Sequence, residues 1–315
     1  MATCDSVKKH SLAENPGKVI IKFRVGTADA KEIFHIHKAI LERCTTKFNG
    51  DMRSSLASGK PVVIGNVCAH VFRQFRKYLY NGTVDKAPSK ATFKVNYPIN
   101  INPERYEKDL QIEYERGVSE LACFYKFAED HDISDLMNTI ADALQDSVYE
   151  SGAGLSAFMN DHIIAKSNKG SKLREMCVAS DVLTLIDNCS QHRQRLMLMC
   201  ITVPDYFEMM MKWMSGNFNL MGRHYEAKFH PNKNLEGFSV FNRAKVCPCL
   251  FHVHAKPTEA HPGHKDCPVA SAGCGHRKSE MNNSIIDPII RVMSAHFGNG
   301  PDGESDSDVD MSSHH

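Results

Sequence analysis

Residues 18–44 read KVIIKFRVGTADAKEIFHIHKAILERC, and the change of period inside this stretch decides the fold. Val19, Ile21, Phe23 and Val25 fall on one side of an alternating run, with Lys18, Lys22 and Arg24 mostly on the other. A repeat of two is that of a strand with one buried face. Gly26 to Asp29 supply a turn, and Glu32 to Ile36 make a second short strand. From His37 to Cys44 the alternation stops, and Ala39, Ile40 and Leu41 stand side by side as suits a buried helix. Strand, hairpin, strand and helix predict an α+β unit.

Working outward, Phe48, Met52 and Leu56 recur at helical spacing on a short amphipathic segment that Gly59 can end in the left-handed conformation. Pro61 to Ile64 reads as a third strand. Val71, Phe72, Phe75 and Leu79 share one face of a helix from Cys68 to Tyr80, which Asn81-Gly82 terminates. Residues 84–117 hold Pro88, Pro98, Pro103 and many charges, and read mostly as an inserted loop in which Thr92 to Val95 could pair as an edge strand. Helical spacing returns over Glu120 to Asp130, and Ile133, Leu136, Met137, Ile140, Ala141, Leu144 and Val148 carry the strongest helix signal in the chain. Ser171 to Asn188 and Pro204 to Met214 are further helices.

The expected organisation is a disordered N-terminus over 1–17, an α+β domain over 18–150, and a helical extension over 151–222. A Cys/His-rich loop segment follows over 223–282, then a short helix over 283–299 that Asp287 could cap and Pro288 begin. The tail, 300–315, is acidic, Ser-rich and expected to be disordered.

Composition narrows the function classes. The 38 basic and 37 acidic residues leave a formal net charge of +1, so no global field draws the protein to nucleic acid or to an anionic membrane. Met1 to His10 is polar with no apolar run behind it, and Leu196 to Val203 stops at Pro204, far short of the roughly 20 residues that cross a bilayer. A cytoplasmic or nuclear protein is expected, and its eleven cysteines then read as reduced thiols or metal ligands.

Both the order of elements and the residues themselves resemble the BTB/POZ family, especially its fungal branch, in which a helical extension follows the domain. Val25-Gly26 and then Phe34-His35-Ile36-His37-Lys38 with Leu41 look like the family's opening hairpin and helix start. Phe48 after Thr45-Thr46, Phe72 through Tyr78-Leu79-Tyr80-Asn81-Gly82, and Leu121 to Ala128 are similar to its later motifs. Ser171-Lys172-Leu173-Arg174 and Pro204-Asp205-Tyr206-Phe207 look like segments of the extension. The resemblance implies an α+β BTB fold, with a small sheet capped by helices, and a protein-interaction module rather than an enzyme. Its partners would be other proteins: a second copy of the chain, or a cullin scaffold for which the chain is a ubiquitin-ligase adaptor. Candidate contact residues are Phe48, Met52, Leu56, Tyr78 and Tyr80. Three features depart from the family. Ile20 stands where many members carry the aspartate of the dimer interface, and the chain before residue 18 is short and polar. Ser58 ends Leu56-Ala57-Ser58 where cullin-recruiting members carry a glutamate.

Catalytic motifs are not legible. Gly59-Lys60 lacks the first glycine and the Ser or Thr of a phosphate-binding loop, and no Gly-x-Ser-x-Gly elbow occurs. His35-x-His37 has no carboxylate spaced to complete a metal site and reads as a strand residue followed by a helix start. Met209-Met210-Met211 reads as core filling in preference to an adaptable binding surface. Residues 247–276 gather Cys247, Cys249, His252, His254, His261, His264, Cys267, Cys274 and His276 in a Pro-rich stretch that packing alone would not order. Cys249, His252, His254 and Cys267 are the ligands expected if the segment holds a structural zinc. Two other functions stay open: a zinc-dependent hydrolase using a His-x-His pair, and a BTB-type transcriptional regulator.

Overall fold

The hairpin forms with the register that its apolar alternation requires. A computed structural model describes residues 16–26, 30–89, 103–151, 155–186, 190–203, 205–229, 238–246 and 250–253 of the chain. Strand β1 (Ile20–Val25) pairs antiparallel with β2 (Glu32–His37), setting Ile21 opposite Ile36 and Phe23 opposite Phe34. Strand β3 (Val62–Ile64) joins the other side of β1 in parallel, giving the order β2-β1-β3. Ile21, Phe23, Val25, Phe34, Ile36, Val62 and Ile64 are all buried, so one face of the sheet is core; a slip of one residue would turn this set to solvent. Val19 is an exception to the alternation: it precedes the first paired residue and is exposed. Gly26 has φ +126, and a Cβ there would lie 2.0 Å from the Ala30 carbonyl oxygen, so the hairpin closes only around a glycine.

Helix α1 (Lys38–Cys44) continues directly from β2, and α2 (Asn49–Ser58) ends at Gly59 in the left-handed conformation. Helix α3 (Ala69–Asn81) lays Phe72 and Phe75 on the sheet. Phe72 lies 5.3 Å from Phe23 and 5.0 Å from Phe34 between ring centroids, and Phe75 lies 4.9 Å from Phe127. Edge and tilted contacts of this kind add to the burial of large rings.

Helix α4 (Pro103–Asp130) corrects the expected loop over 84–117, because residues 103–117 are helical. Leu110, Tyr114, Val118, Leu121 and Tyr125 form one buried stripe at helical spacing. The charges that suggested a loop sit on the outward face as near-neighbour pairs, among them Arg105 with Asp109 and Glu113 with Arg116. Pro103 opens the helix, a position where the missing N–H has no helical partner to lose. The candidate edge strand at Thr92 to Val95 lies outside the described residues. Residues 84–89 run without regular structure beside α4 and α5 (Ser134–Ser151): the Ala87 N–H donates to Ser147 Oγ at 3.0 Å, and Lys86 pairs with Asp146 and Glu150.

The extension consists of α6 (Ala157–Lys166), α7 (Lys172–Ile186), α8 (Ser190–Thr202), α9 (Tyr206–Gly216) and α10 (Phe218–Phe229). Helix α7 is central, with Leu173, Met176, Cys177, Val178 and Val182 buried against α6, α8, α9 and α10. Helix also continues past the expected end at 222, so 223–229 belongs to α10 and not to the loop segment. The expected N-terminal disorder over 1–15, the short helix over 283–299 and the acidic tail lie outside the described residues.

A second correction concerns 238–246 and 250–253, which are packed despite forming neither α-helix nor strand. Phe238, Val240, Phe241, Val246, Leu250 and Phe251 are buried. Side chains of α5 satisfy the backbone of this strap: Asn138 donates to the Val253 carbonyl at 3.0 Å and accepts from its N–H at 2.7 Å, and Gln145 donates to the Val240 carbonyl. Such amides replace the hydrogen bonds that a helix or sheet would provide. The described chain is therefore mixed α+β and mostly helical, with ten helices and a three-stranded sheet; no described helix is long and apolar enough to cross a membrane.

Candidate interaction surfaces

The face of the sheet away from α3 is built from every second strand residue. Ile20, Lys22 and Arg24 from β1, Ile33 and His35 from β2, and Val63 from β3 all point outward and are exposed. The register sets Lys22 opposite His35 and places Arg24 between Ile33 and Val63. Lys22 and Arg24 on the central strand, flanked by the half-exposed Ile33 and Val63 on the outer strands, make a surface that is positive along its middle and apolar at its sides, able to take an apolar and acidic segment of another chain. The alternation around Lys22 and Arg24 was the signal for this face; the exposure of Ile20, Ile33 and Val63 was not readable, because branched residues suit either side of a strand.

Of the expected contact residues, Phe48, Met52 and Tyr78 are buried in the core. This is a correction with a simple cause. Phe48 packs its ring 5.8 Å from Phe23 and 4.7 Å from His131, so its work is to join α2 to the sheet and to the end of α4. Leu56 is 48 % exposed on the outer side of α2 and is available to a partner. Tyr80 is half-buried, and its hydroxyl accepts from the His37 N–H at 3.2 Å and lies 2.7 Å from His37 Nδ1. That bond holds the β2–α1 junction against the end of α3. His37 is thus a helix-start residue, and His35 is an exposed strand residue.

A groove between α3 and α4 is lined by His70, Gln74, Lys86, Glu113, Arg116 and Glu120. Its charges neutralise one another locally: His70 lies 3.0 Å from Glu120, Glu113 pairs with Arg116, and Lys86 bonds Glu150. No set of like groups converges on it.

Four of the five described thiols are poor nucleophiles. Burial pushes the Cys44 thiol up to about 12, with the Asp135 carboxylate adding to the shift, and burial raises the fully enclosed Cys177 well above the ordinary thiol value. Burial also raises Cys123 and Cys200. The ionised form is the reactive one, so these side chains are held in the inert form at neutral pH.

Of the expected zinc ligands, only His252 lies within the described residues. Its Nε2 sits 2.8 Å from Asp142 Oδ1 on α5, and Arg243 shares that carboxylate at 2.8 Å. Cys249, His254 and Cys267 lie outside the described residues. Among the described residues no group of three or more His, Cys, Asp or Glu side chains is arranged to hold a metal ion.

The extension carries a polar cluster that the periodicity could not reveal. Asp181 on α7 is fully buried and accepts from Asn160 at 2.7 Å, from Arg195 at 3.2 Å and from the Tyr206 hydroxyl. One carboxylate thereby joins α6, α7, α8 and α9. The methionine run divides: Met210 is buried, as core filling requires, whereas Met211 is exposed beside Phe207. No protein-family profile, curated protein or solved structure matches this chain. Functional inference therefore rests on the chain's own residues and geometry.

Proposed function

We propose that residues 18–150 act as a protein-interaction module of the BTB/POZ type and that the chain works by recognition, not catalysis. The observation that carries this reading is that the motif residues behind the resemblance are those on which the fold is built. Phe34, Ile36, Leu41, Phe48, Phe72, Tyr78, Leu79, Leu121 and Ala128 are all buried, in the order strand, strand, helix, helix, strand, helix and helix pair. The surface offered to a partner is then the outer sheet face around Ile20, Ile33 and Val63, together with Leu56 on α2.

Two associations follow from this proposal: pairing with a second copy, and capture of a cullin scaffold in the cytoplasm or nucleus. Ser58 gives the cullin association no carboxylate, and its hydroxyl donates to the Ser54 carbonyl at 2.8 Å. We further propose that Cys249, His252, His254 and Cys267 hold a structural zinc, with Asp142 orienting or competing for the His252 imidazole. Support for this comes from the donor set, two thiolates and two imidazoles, and from the strap's dependence on side-chain hydrogen bonds in place of regular structure.

The deciding experiment is light scattering of the full chain combined with calorimetric titration of a purified cullin N-terminal domain. Self-association or cullin binding that weakens in Leu56→Asp or Ile33→Asp supports the proposal. A protein that binds no cullin, and whose self-association is unaffected by either substitution, overturns it. Metal analysis of the purified chain tests the zinc: less than one equivalent in protein prepared with zinc present removes it.

A further inference from the structure

Helices α8 and α9 both pack one face on α7, burying Leu196, Met199, Tyr206 and Met210, and turn the opposite face outward. Large apolar side chains stand on that outward face. Met197, Leu198 and Ile201 on α8 are exposed, Ile201 to 77 %, and Phe207 and Met211 on α9 are 50 % and 43 % exposed. A single exposed apolar side chain is ordinary, but five large ones on two helices that pack on each other concentrate apolar surface of the kind that marks an interface. Beside the Phe207–Met211 strip runs a second strip of two exposed charges at the same spacing, Glu208 and Lys212. Neither forms an ion pair with another described residue.

We propose that this face is a homotypic contact surface, on which α9 packs antiparallel against α9 of a second copy of the chain. The order of charges selects that occupant. Under a two-fold axis level with the middle of the strip, each Glu208 comes opposite the partner's Lys212, and the Phe207 and Met211 side chains of the two copies interleave between them. The two charges stand four residues apart, about 6 Å of helix rise, so both pairs form at once across the axis. A patch of one sign would call for a partner of the other sign, whereas this one is complementary to itself, as a two-fold interface must be. Exposed methionines beside a phenylalanine suit such a contact because they repack with little strain. The surface lies in the helical extension and does not depend on residues 18–150 being a BTB domain.

Charge reversal tests the arrangement without disturbing the core. In Glu208→Lys both copies present two lysines, and in Lys212→Glu both present two glutamates, so each variant should self-associate at least about tenfold more weakly than the wild type in sedimentation equilibrium of the full chain. An equimolar mixture of the two variants, one carrying a donor dye and the other an acceptor, should recover association, because opposite charges again meet. Ile201→Glu should weaken self-association while leaving the circular dichroism spectrum unchanged. The proposal is overturned if the wild type remains monomeric across the concentration range. It is equally overturned if both reversals associate as the wild type does, or if the mixture transfers no energy. A dimer held only through the sheet face would give the second of these results.

Discussion

Asp181 is the residue on which the extension turns. It is fully buried, and three side chains from three other helices donate to it or pair with it. A buried carboxylate is tolerated when its lone pairs are satisfied and becomes costly when a partner is removed. Tyr206→Phe keeps the ring and removes one donor, so it should destabilise the fold by about 1–3 kcal/mol. Chemical denaturation monitored by the fluorescence of Trp213 would measure it, and an unchanged midpoint would refute the role given to Tyr206. Arg195 should be less tolerant, since its loss leaves Asp181 without its cation. The thiols offer a second residue-scale prediction. Cys68 is exposed at the start of α3, Cys44 is held at about 12 and Cys177 has no exposure. Among the five described cysteines, alkylation of native protein at neutral pH, followed by peptide mass spectrometry, should modify Cys68 first and Cys177 last. Modification of Cys177 ahead of Cys68 would contradict the packing of α7.

At the scale of elements, two segments read as loops in the sequence for different reasons. The stretch 103–117 looks like a loop because charges dominate it behind Pro103, and 238–253 looks like a loop because it has no period. The first is a helix because Leu110, Tyr114 and Val118 keep a thin stripe that α4 continues through Leu121 and Tyr125. Gly117 lies on that helix where a Cβ would come within 2.9 Å of Ala87 Cα and Pro88 Cδ. Gly117→Val should therefore push residues 84–89 away from α4 and cost about 1–3 kcal/mol, as overpacking does. If thermal unfolding shifts upward instead, the helix-propensity gain outweighs the close approach and the contact is looser than described. The second segment holds to α5 through the paired bonds of Asn138. Asn138→Ala should release the strap, seen as faster limited proteolysis near residues 250–253, while leaving the hairpin intact. Proteolysis unchanged from the wild type would show that Phe251 and its apolar neighbours suffice.

On the scale of the molecule, the α+β unit and the extension share an interface within the described chain. Helix α4 packs on α6, Lys166 Nζ donates to Cys123 Sγ at 3.8 Å, and the Asn168 N–H donates to Glu129 at 3.3 Å. The strap formed by 238–246 and 250–253 also covers α5, so the last described residues complete the core of the first unit. Such interlocking predicts one cooperative transition. Trp213, the sole tryptophan, reports on α9, while far-ultraviolet circular dichroism reports on all ten described helices. Their thermal midpoints should coincide. A tryptophan signal lost well before the helical signal would mean that the extension unfolds alone.

The sequence by itself determined the hairpin, the third strand, α3 and α5, because in each the apolar residues keep one period along a continuous run and burial of one face is a local requirement. It also marked His37 as a helix start and residues 171–188 as a helix with a buried face. Only the tertiary structure decided which apolar residues stay outside. Phe48, Met52 and Leu56 share one helical spacing, yet the first two are buried and the third is exposed, since the sheet and α4 reach only part of α2. The same holds for Met211, which reads as core filling in the sequence, and for Ile201 and Phe207: all three face outward because α7 offers α8 and α9 one side each. Buried polar partners were beyond the sequence as well. Asp181, Asn160 and Arg195 are charged or polar positions like many others until folding removes their water and makes each depend on the rest.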